Sequence, residues 1–242
     1  MVPTDAGAVG DTPALLVIDP QRDALSADGA LGSPATSTDG LDAVIENINT
    51  VVDAARESDV PVLWTREVHR PDLADYGAEL LSSEPEHGLA GESSSEFHDD
   101  IDADVDELGP AEYLITKRRY NCFHNTELDH LLDTFDVDTL VLTGVLTNVC
   151  VHYTAHGAHE RDYAFRTVEE CTAAPSEELH ESALRFMRYL QPDGVPSIDT
   201  VLDGFDAYAG NPIVERVKRE GRVAPGPVHS MSEPAEPPQT DD

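Results

Sequence analysis

Two apolar runs, TLVLTGV (Thr139–Val145) and ALLVID (Ala14–Asp19), decide the fold of this chain. Neither run alternates apolar with polar residues, as a strand with one face in water does. Continuous runs of this length are typical of parallel strands that are buried on both faces. They predict a central parallel sheet with helices packed against both of its sides.

Further strands and helices alternate around these two runs. Strands are predicted at Val60–Arg66, Glu112–Lys117 and Ala164–Cys171, with a short sixth strand at Val195–Ile198. Helices are predicted where apolar residues recur at helical spacing, in Leu41–Ala55, Thr126–Phe135, Thr147–Arg161, Ser176–Leu190 and Asp199–Phe205. This order predicts an α/β fold, a three-layer αβα doubly wound sheet of about six mainly parallel strands.

The sequence predicts one domain, because 242 residues suit a single α/β unit. We place that domain at residues 14–210, after a flexible N-terminal segment of residues 1–13. Residues 211–242 form a C-terminal extension that is predicted to be disordered from about residue 223, where Pro, Ser and acidic residues dominate. The polar stretch Glu67–Pro110 shows little periodicity, and a loop of this length is usually functional or disordered.

The charge balance is extreme, with 48 acidic against 15 basic residues and a net charge of -33. Such a field repels nucleic acids and anionic membranes, so we expect neither as a partner. A disordered acidic chain would share this composition, but the periodic segments argue against it. We interpret the charge as adaptation to high salt, because the Debye length falls to about 3 Å near 1 M ionic strength.

The sequence favours a cytoplasmic protein. No apolar run reaches the roughly 18 residues that a membrane helix needs. The first residues, MVPTDAGAVGDTP, lack the basic flank and the apolar region of a secretory signal. The three cysteines include no CxxC pair, so they indicate neither a disulfide framework nor a zinc site.

Three reactive residues fall at the ends of predicted strands. Asp19 closes the first strand, Lys117 closes the third, and Cys150 lies five residues after the fourth. Taken singly, each has a structural explanation: Asp19 as a helix cap, Lys117 as a solvated charge and Cys150 as a small buried side chain. The carboxyl ends of parallel strands meet at one edge of the sheet, however, and sites in open α/β sheets form there.

The chemistry of these residue types explains why they would be grouped. A thiolate is a good nucleophile, and a helix N-terminus or a nearby cation lowers the pKa of a thiol. A carboxylate within hydrogen-bond reach accepts the thiol proton and later gives it to a leaving amine. The lysine keeps that carboxylate ionised, and the turn TGVLTNVC (Thr143–Cys150) can supply backbone N–H groups to an oxyanion.

Three segments resemble the signature segments of the isochorismatase-like cysteine hydrolases: LLVIDPQRDAL (Leu15–Leu25), ITKRRYNCFHNTELDHLL (Ile115–Leu132) and TLVLTGVLTNVCVHYTAHGAHERDY (Thr139–Tyr163). The group includes nicotinamidases, N-carbamoylsarcosine amidohydrolases, biuret hydrolases and ureidoacrylate amidohydrolases. The resemblance extends from about Ala14 to Phe205 and implies an amidohydrolase that acts on a small amide or ureide.

The resemblance also implies roles for individual residues. Asp19, Lys117 and Cys150 would form the catalytic triad. The peptide bond between Val145 and Leu146 would be cis, and the N–H groups of Leu146 and Cys150 would form the oxyanion hole. A dimer or tetramer is expected on the same ground.

Four residues are candidates for substrate binding, namely Gln21, Trp64, Phe123 and Val145. Core packing explains Trp64 and Phe123 as well as a pocket does. The first motif lacks the aromatic pocket residue often found there. Cys122 and Cys171 are interpreted as structural, because neither follows a turn like that before Cys150.

A metal site is not expected. Nicotinamidases carry an Asp–His–His cluster after the second strand, whereas this chain has TREVHRPD (Thr65–Asp72), with His69 but no Asp-x-His. His87 and His98 lie further along among ten scattered histidines. We therefore predict no metal and no cofactor.

Two other functions remain open. An isochorismatase proper cleaves a vinyl ether without a thiol nucleophile, and Cys150 argues against it. A binding or scaffold protein on the same fold would not need the intact triad.

Overall fold

The computed structural model describes residues 7–31 and 38–220, with the side chains of residues 38 and 39 left out. Its centre is one sheet of five parallel strands in the order β3-β2-β1-β4-β5. The strands are β1 (Pro13–Ile18), β2 (Val62–Glu67), β3 (Glu112–Lys117), β4 (Thr139–Val145) and β5 (Ala164–Ala173).

The two apolar runs form the middle of the sheet. Strand β1 lies between β2 and β4, and every residue of β1 and β4 is buried. Alternate side chains of β1 enter different cores: Leu15 and Val17 pack on one face, and Leu16 and Ile18 on the other. Because both faces of these strands are buried, their sequences are continuous apolar runs and do not alternate apolar with polar residues.

Helices cover both faces of the sheet. The core that contains Leu15 also holds the apolar sides of α2 (Thr38–Glu57) and α6 (Ile198–Asp206), with the short α1 (Arg22–Leu25). The opposite core is completed by α3 (Leu128–Thr134), α4 (His152–His159), α5 (Glu177–Leu190) and α7 (Pro212–Glu220). The molecule is therefore the three-layer α/β fold that the sequence predicts.

One predicted strand is absent. Val195, Pro196 and Ser197 form an irregular segment without strand pairing, and Ile198 begins α6. Pro196 has no N–H to donate to a sheet, and the side chain of Ser197 caps α6 by accepting from Thr200 N.

The domain limits predicted from the sequence are only partly covered by the described residues. Residues 1–6 and the segment from about residue 223 lie outside them. Helix α7 occupies the start of the expected extension, where Val214 is buried and Lys218 forms an ion pair with Asp59. None of the described helices combines the length and apolar character that crossing a bilayer requires.

The long connection between β2 and β3 crosses the carboxyl edge of the sheet. It contains two 3-10 turns, Gly77–Leu81 and Ser93–Ser95. Isolated bridges join Gln21 to Phe97 and His69 to Leu89. The two bridges place this connection, whose sequence shows little periodicity, over the strand ends where the reactive residues lie.

Candidate active site

Asp19, Lys117 and Cys150 meet at the carboxyl edge of the sheet. The ammonium of Lys117 lies 2.7 Å from Asp19 Oδ2 and 3.4 Å from Cys150 Sγ. All three residues are buried. The ends of β1 and β3 and the turn after β4 thus bring together the three residues that the sequence singles out.

A threonine on the neighbouring strand holds Asp19 in place. Asp19 follows β1 with a left-handed backbone at φ 47°. Its N–H donates to Thr65 Oγ1 at 3.1 Å, and the Thr65 hydroxyl donates to Asp19 Oδ1 at 2.7 Å. The other carboxylate oxygen is left to face Lys117.

The turn after β4 begins at a position where only glycine fits. Gly144 has φ +100°, and a Cβ there would lie 2.0 Å from the carbonyl oxygen of Ile18. The following Val145–Leu146 peptide bond is cis, as the resemblance implies. Thr147–Val151 then form a π-helical turn, so Cys150 lies in this turn, ahead of α4.

Glu67 is a fourth member of this cluster that the sequence analysis missed. It ends β2 beside Lys117, which ends β3, and the two form an ion pair through Glu67 Oε2. The same oxygen lies 3.8 Å from Cys150 Sγ. Its position as a carboxylate at a strand end, like Asp19, was the signal that could have found it.

The buried charges shift one another's pKa values. Burial, opposed by the charge of Lys117, raises the pKa of Cys150 well above its usual value. Lys117 lowers the pKa of the thiol, as the sequence analysis expects of a nearby cation, but burial outweighs this effect. Cys150 lies in the π-helical turn and not at the first residue of α4. Burial also raises the pKa of Asp19, partly offset by Lys117. A carboxylate with a raised pKa is a stronger base toward a protonated thiol.

Lys117 and Glu67 keep their charges. Burial lowers the pKa of Lys117, but Asp19, Cys150 and Glu67 outweigh it, and the net shift is well upward. Burial raises the pKa of Glu67, but Lys117, His69 and His87 bring it well below its usual value. The ammonium of Lys117 is therefore held between two carboxylates of different basicity.

A small cavity of about 30 Å³ adjoins the cysteine. Gln21, Val145, Leu146 and Cys150 are among its lining residues. The Gln21 amide donates to the carbonyl oxygens of Glu67 (2.9 Å) and Ser95 (2.7 Å) and accepts from Glu67 N (2.8 Å). Gln21 therefore fixes the end of β2 and the long connection at the edge of the cavity.

The structure does not bring Trp64 and Phe123 to this cavity. Trp64 is fully buried, packs on Phe97 and donates to Glu112 Oε2 at 2.9 Å. It lies before the end of β2, on the face covered by α2. Phe123 stacks on Tyr163 and lies 4.5 Å from the Arg161 guanidinium. Both aromatic rings serve packing, the alternative that the sequence left open.

The other two cysteines also lie outside the lining of the cavity. Both are fully buried. Cys122 lies near the cluster, with Sγ 3.9 Å from Thr65 Oγ1, and burial raises its pKa to about 12. Cys171 lies in β5, where burial raises its pKa as well.

A second polar cluster adjoins the first through Glu67. Glu67 Oε1 lies 3.2 Å from His69 Nε2 and 3.3 Å from His87 Nε2, and Glu79 Oε2 lies 3.1 Å from His69 Nε2. Burial lowers the pKa of His69, but Glu67 and Glu79 raise it to about 9 overall. His87, placed far along the long connection, is thus a member of the site and not a chance histidine.

The donor set of this second cluster fits a divalent cation. Ligand atoms of Glu67, His69 and Glu79 lie within 4.8 Å of one another. Glu79 Oε1 is buried without a hydrogen-bond partner among the described residues, whereas Oε2 faces the His69 ring. These three residues would hold the ion, which would act as a Lewis acid toward substrate or water. The sequence analysis considered only Asp-x-His and therefore missed Glu67-Val68-His69. The acidic side chain there is a glutamate, which has one methylene more than aspartate.

Comparison with known proteins identifies the family of this chain. The family model for the isochorismatase domain matches residues 13–200. Ureidoacrylate amidohydrolase RutB of Methylobacterium radiotolerans is 32% identical over 187 residues, 70% of this chain and 70% of that protein. Nicotinamidase 3 of Arabidopsis thaliana is 31% identical over 141 residues, 58% of this chain and 69% of that protein.

A solved structure of a related enzyme also resembles this chain. The pyrazinamidase/nicotinamidase of Streptococcus mutans matches with a TM-score of 0.67 and 28% identity, covering 76% of this chain and 100% of that one. The fold and the family match define an α/β hydrolytic enzyme with an isochorismatase-like architecture. The chain belongs to the isochorismatase family, and it is a hydrolase.

Proposed function

We propose that the protein is a cysteine amidohydrolase that cleaves the C–N bond of a small amide or ureide through a thioester. The observation that carries this proposal is the contact of one buried ammonium, that of Lys117, with both the Asp19 carboxylate and the Cys150 sulfur. The cavity beside the sulfur, lined by Leu146 and Cys150, gives the carbonyl group of a small compound a place to bind.

In the proposed first half-reaction, Asp19 takes the proton of the Cys150 thiol as the sulfur attacks the carbonyl carbon. The backbone N–H groups of Leu146 and Cys150 hold the oxyanion. When the C–N bond breaks, Asp19 gives the proton to the leaving nitrogen, which departs as ammonia or an amine.

In the second half-reaction, a water molecule attacks the thioester carbonyl and Asp19 accepts its proton. The C–S bond breaks and the proton returns to the sulfur. The products are a carboxylic or carbamic acid and the regenerated thiol. Lys117 offsets the negative charge that builds up in both halves, which fits its raised pKa.

The relatives support the amide class. One is named a ureidoacrylate amidohydrolase and another a nicotinamidase, and both names describe hydrolysis of a C–N bond outside a peptide. The vinyl-ether hydrolase and the binding protein are less well supported, because neither needs a thiol beside a carboxylate and an ammonium.

Release of ammonia from a panel of small amides, ureides and nicotinamide tests the proposal. The wild-type protein should release ammonia from at least one compound, and Cys150→Ala should release none. Cys171→Ser is the matched control, because that cysteine is buried in β5 away from the cavity. Release of pyruvate from isochorismate, without ammonia from any amide, would favour the vinyl-ether alternative.

A homo-oligomer in the cytoplasm is part of the same proposal. Exposed aromatic residues on α4 and α5, namely Tyr153, Phe186 and Tyr189, offer an apolar surface for self-association. Light scattering coupled to gel filtration measures the mass, and a monomer at all concentrations would contradict the oligomer.

A further inference from the structure

We propose that this active site selects amides whose remaining part is uncharged or cationic and donates hydrogen bonds, and that it discriminates against amides bearing a carboxylate. Glu84 is the specificity-determining residue, held in place by Tyr120. This inference rests on the proposed amidohydrolase activity, because it concerns the substrate of the same cavity.

The first observation is the charge around the cavity. Four carboxylates line it, those of Asp19, Asp23, Glu67 and Glu84. Two of them belong to the reacting end, where they contact Lys117. The other two have different partners: Asp23 Oδ2 accepts from Gly88 N at 2.8 Å, and Glu84 Oε2 accepts from the Tyr120 hydroxyl at 2.7 Å. We place the part of a substrate beyond its carbonyl group against Asp23 and Glu84, the two lining carboxylates that do not contact Lys117.

The second observation is the scarcity of opposing cations. Among the described lining residues, His87 is the only basic one. Its Nε2 lies 3.3 Å from Glu67 Oε1 and its Nδ1 lies 2.8 Å from the carbonyl oxygen of Pro85, so any charge on His87 is already paired. Even with His87 and Lys117 both charged, four carboxylates outnumber two cations.

The arginines nearest in sequence have other partners. Arg22 forms an ion pair with Asp99, Arg118 with Asp75 at 2.9 Å, and Arg119 donates to the carbonyl oxygen of Asp75 at 2.9 Å. Residues 32–37, which follow the lining residue Leu31, contain neither Lys nor Arg. Within residues 7–31 and 38–220, therefore, no guanidinium or ammonium is available to a substrate carboxylate in the part of the cavity away from Lys117.

The third observation is the way Glu84 is held. Glu84 is half-buried in the long connection, and the Tyr120 hydroxyl that bonds to it comes from the segment after β3. Burial and Glu84 raise the pKa of Tyr120, so its hydroxyl remains a donor. A carboxylate has a second oxygen that accepts hydrogen bonds, so Glu84 can receive an N–H of a substrate while Tyr120 holds it.

A matched series of ureides tests the proposal. N-propylurea is neutral, 2-aminoethylurea carries an ammonium, and 3-ureidopropanoate carries a carboxylate on a chain of similar length. We expect kcat/KM for the carboxylate compound to be lower by about tenfold or more, since like charges repel strongly at the effective dielectric of a partly buried site. Nicotinamide, 1-methylnicotinamide and isophthalamate form a second series on an aromatic scaffold.

Variants assign the effect to Glu84. Glu84→Lys should raise the ratio of kcat/KM for the carboxylate compound to that for the ammonium compound by about tenfold or more. Glu86→Lys, which makes the same change of net charge at an exposed position outside the cavity, should leave this ratio unchanged. Tyr120→Phe should weaken the discrimination, and the change should appear in the KM ratio of the two charged compounds more than in their kcat ratio.

Alkylation of Cys150 gives a readout that needs no substrate. Iodoacetamide is neutral and iodoacetate is anionic, so their rates at Cys150, each divided by the rate with free cysteine, report the charge of the cavity. We expect a ratio above about tenfold in favour of iodoacetamide that falls in Glu84→Lys. Equal normalised rates, or a preference for 3-ureidopropanoate in the wild-type protein, would overturn this inference and leave the amidohydrolase intact. Absence of ammonia from every compound would overturn both.

Discussion

Glu67 and Lys117 lie side by side at the ends of β2 and β3, and their side chains form an ion pair that is shielded from solvent. The same ammonium contacts Asp19. The site therefore contains two carboxylates on one lysine, one with a lowered pKa and one with a raised pKa. We interpret Glu67 as the second anion that keeps Lys117 charged when Asp19 takes up a proton, which leaves Asp19 free to exchange protons.

Glu67→Gln should lower kcat by about tenfold to a thousandfold, within the range that positioned acid–base groups contribute. The neutral amide removes one charge from beside Lys117 and one source of the raised Asp19 pKa. Steady-state kinetics on a confirmed amide measure the loss, and Glu86→Gln is the surface control. A kcat at the wild-type value in Glu67→Gln would show that Glu67 does not contribute to catalysis.

Lys117→Ala should abolish most activity and also destabilise the fold. The lysine is fully buried between two carboxylates. Removing one partner of a buried ion pair costs about 3–5 kcal/mol. Chemical denaturation measures the free energy of unfolding, and an unchanged value would contradict the burial argument.

Activity should survive removal of metal ions, although the donor atoms of Glu67, His69 and Glu79 would fit a divalent cation. The pKa of His69 is raised to about 9, and the protonated ring can balance Glu67 and Glu79 without a cation. Dialysis against a chelator, elemental analysis and add-back of zinc, manganese or iron decide this. Activity that returns only with metal would instead assign Glu67, His69 and Glu79 as ligands.

The melting temperature should fall as salt is diluted from about 1 M to about 0.1 M potassium chloride, because the Debye length grows from about 3 Å to about 10 Å. At the lower salt concentration, the acidic groups that give the net charge of -33 repel one another across the surface. Sucrose at matched osmolality controls for solute exclusion. A melting temperature that is flat or rises on dilution would refute the high-salt interpretation.

The sequence predicts the sheet and the main cluster because both depend on regular features. Continuous apolar runs mark buried parallel strands, and strand ends place Asp19 and Lys117 at one edge. The motif around Cys150 adds the turn after β4. Trp64 shows the limit of this reasoning: the strand pattern identifies a buried ring without telling that it packs on Phe97, away from the cavity.

The rest of the site comes from the long connection between β2 and β3, whose apolar residues show little helical or strand periodicity. Glu79, Glu84 and His87 all lie within it. Their positions depend on tertiary contacts such as those between Gly88 and Asp23 and between Glu84 and Tyr120. A pattern based on local spacing contains no information about such contacts.

Covalent catalysis by Cys150 is the central claim, and the three cysteines of this chain provide its controls. Cys150 lines the cavity, whereas Cys122 and Cys171 are fully buried outside it. Iodoacetamide should therefore modify Cys150 fastest, and a bound amide should protect it, as mass spectrometry of the alkylated peptides would show. Cys122→Ser and Cys171→Ser should keep substantial activity.

The most direct measurement is the rate of ammonia release by Cys150→Ala on a confirmed amide, with circular dichroism to show that the variant is folded. The account predicts a folded protein with no turnover, and at most trace turnover in Cys150→Ser, because a hydroxyl is a far weaker acid than a thiol beside the same carboxylate. Ammonia release by Cys150→Ala at the wild-type rate would contradict the account.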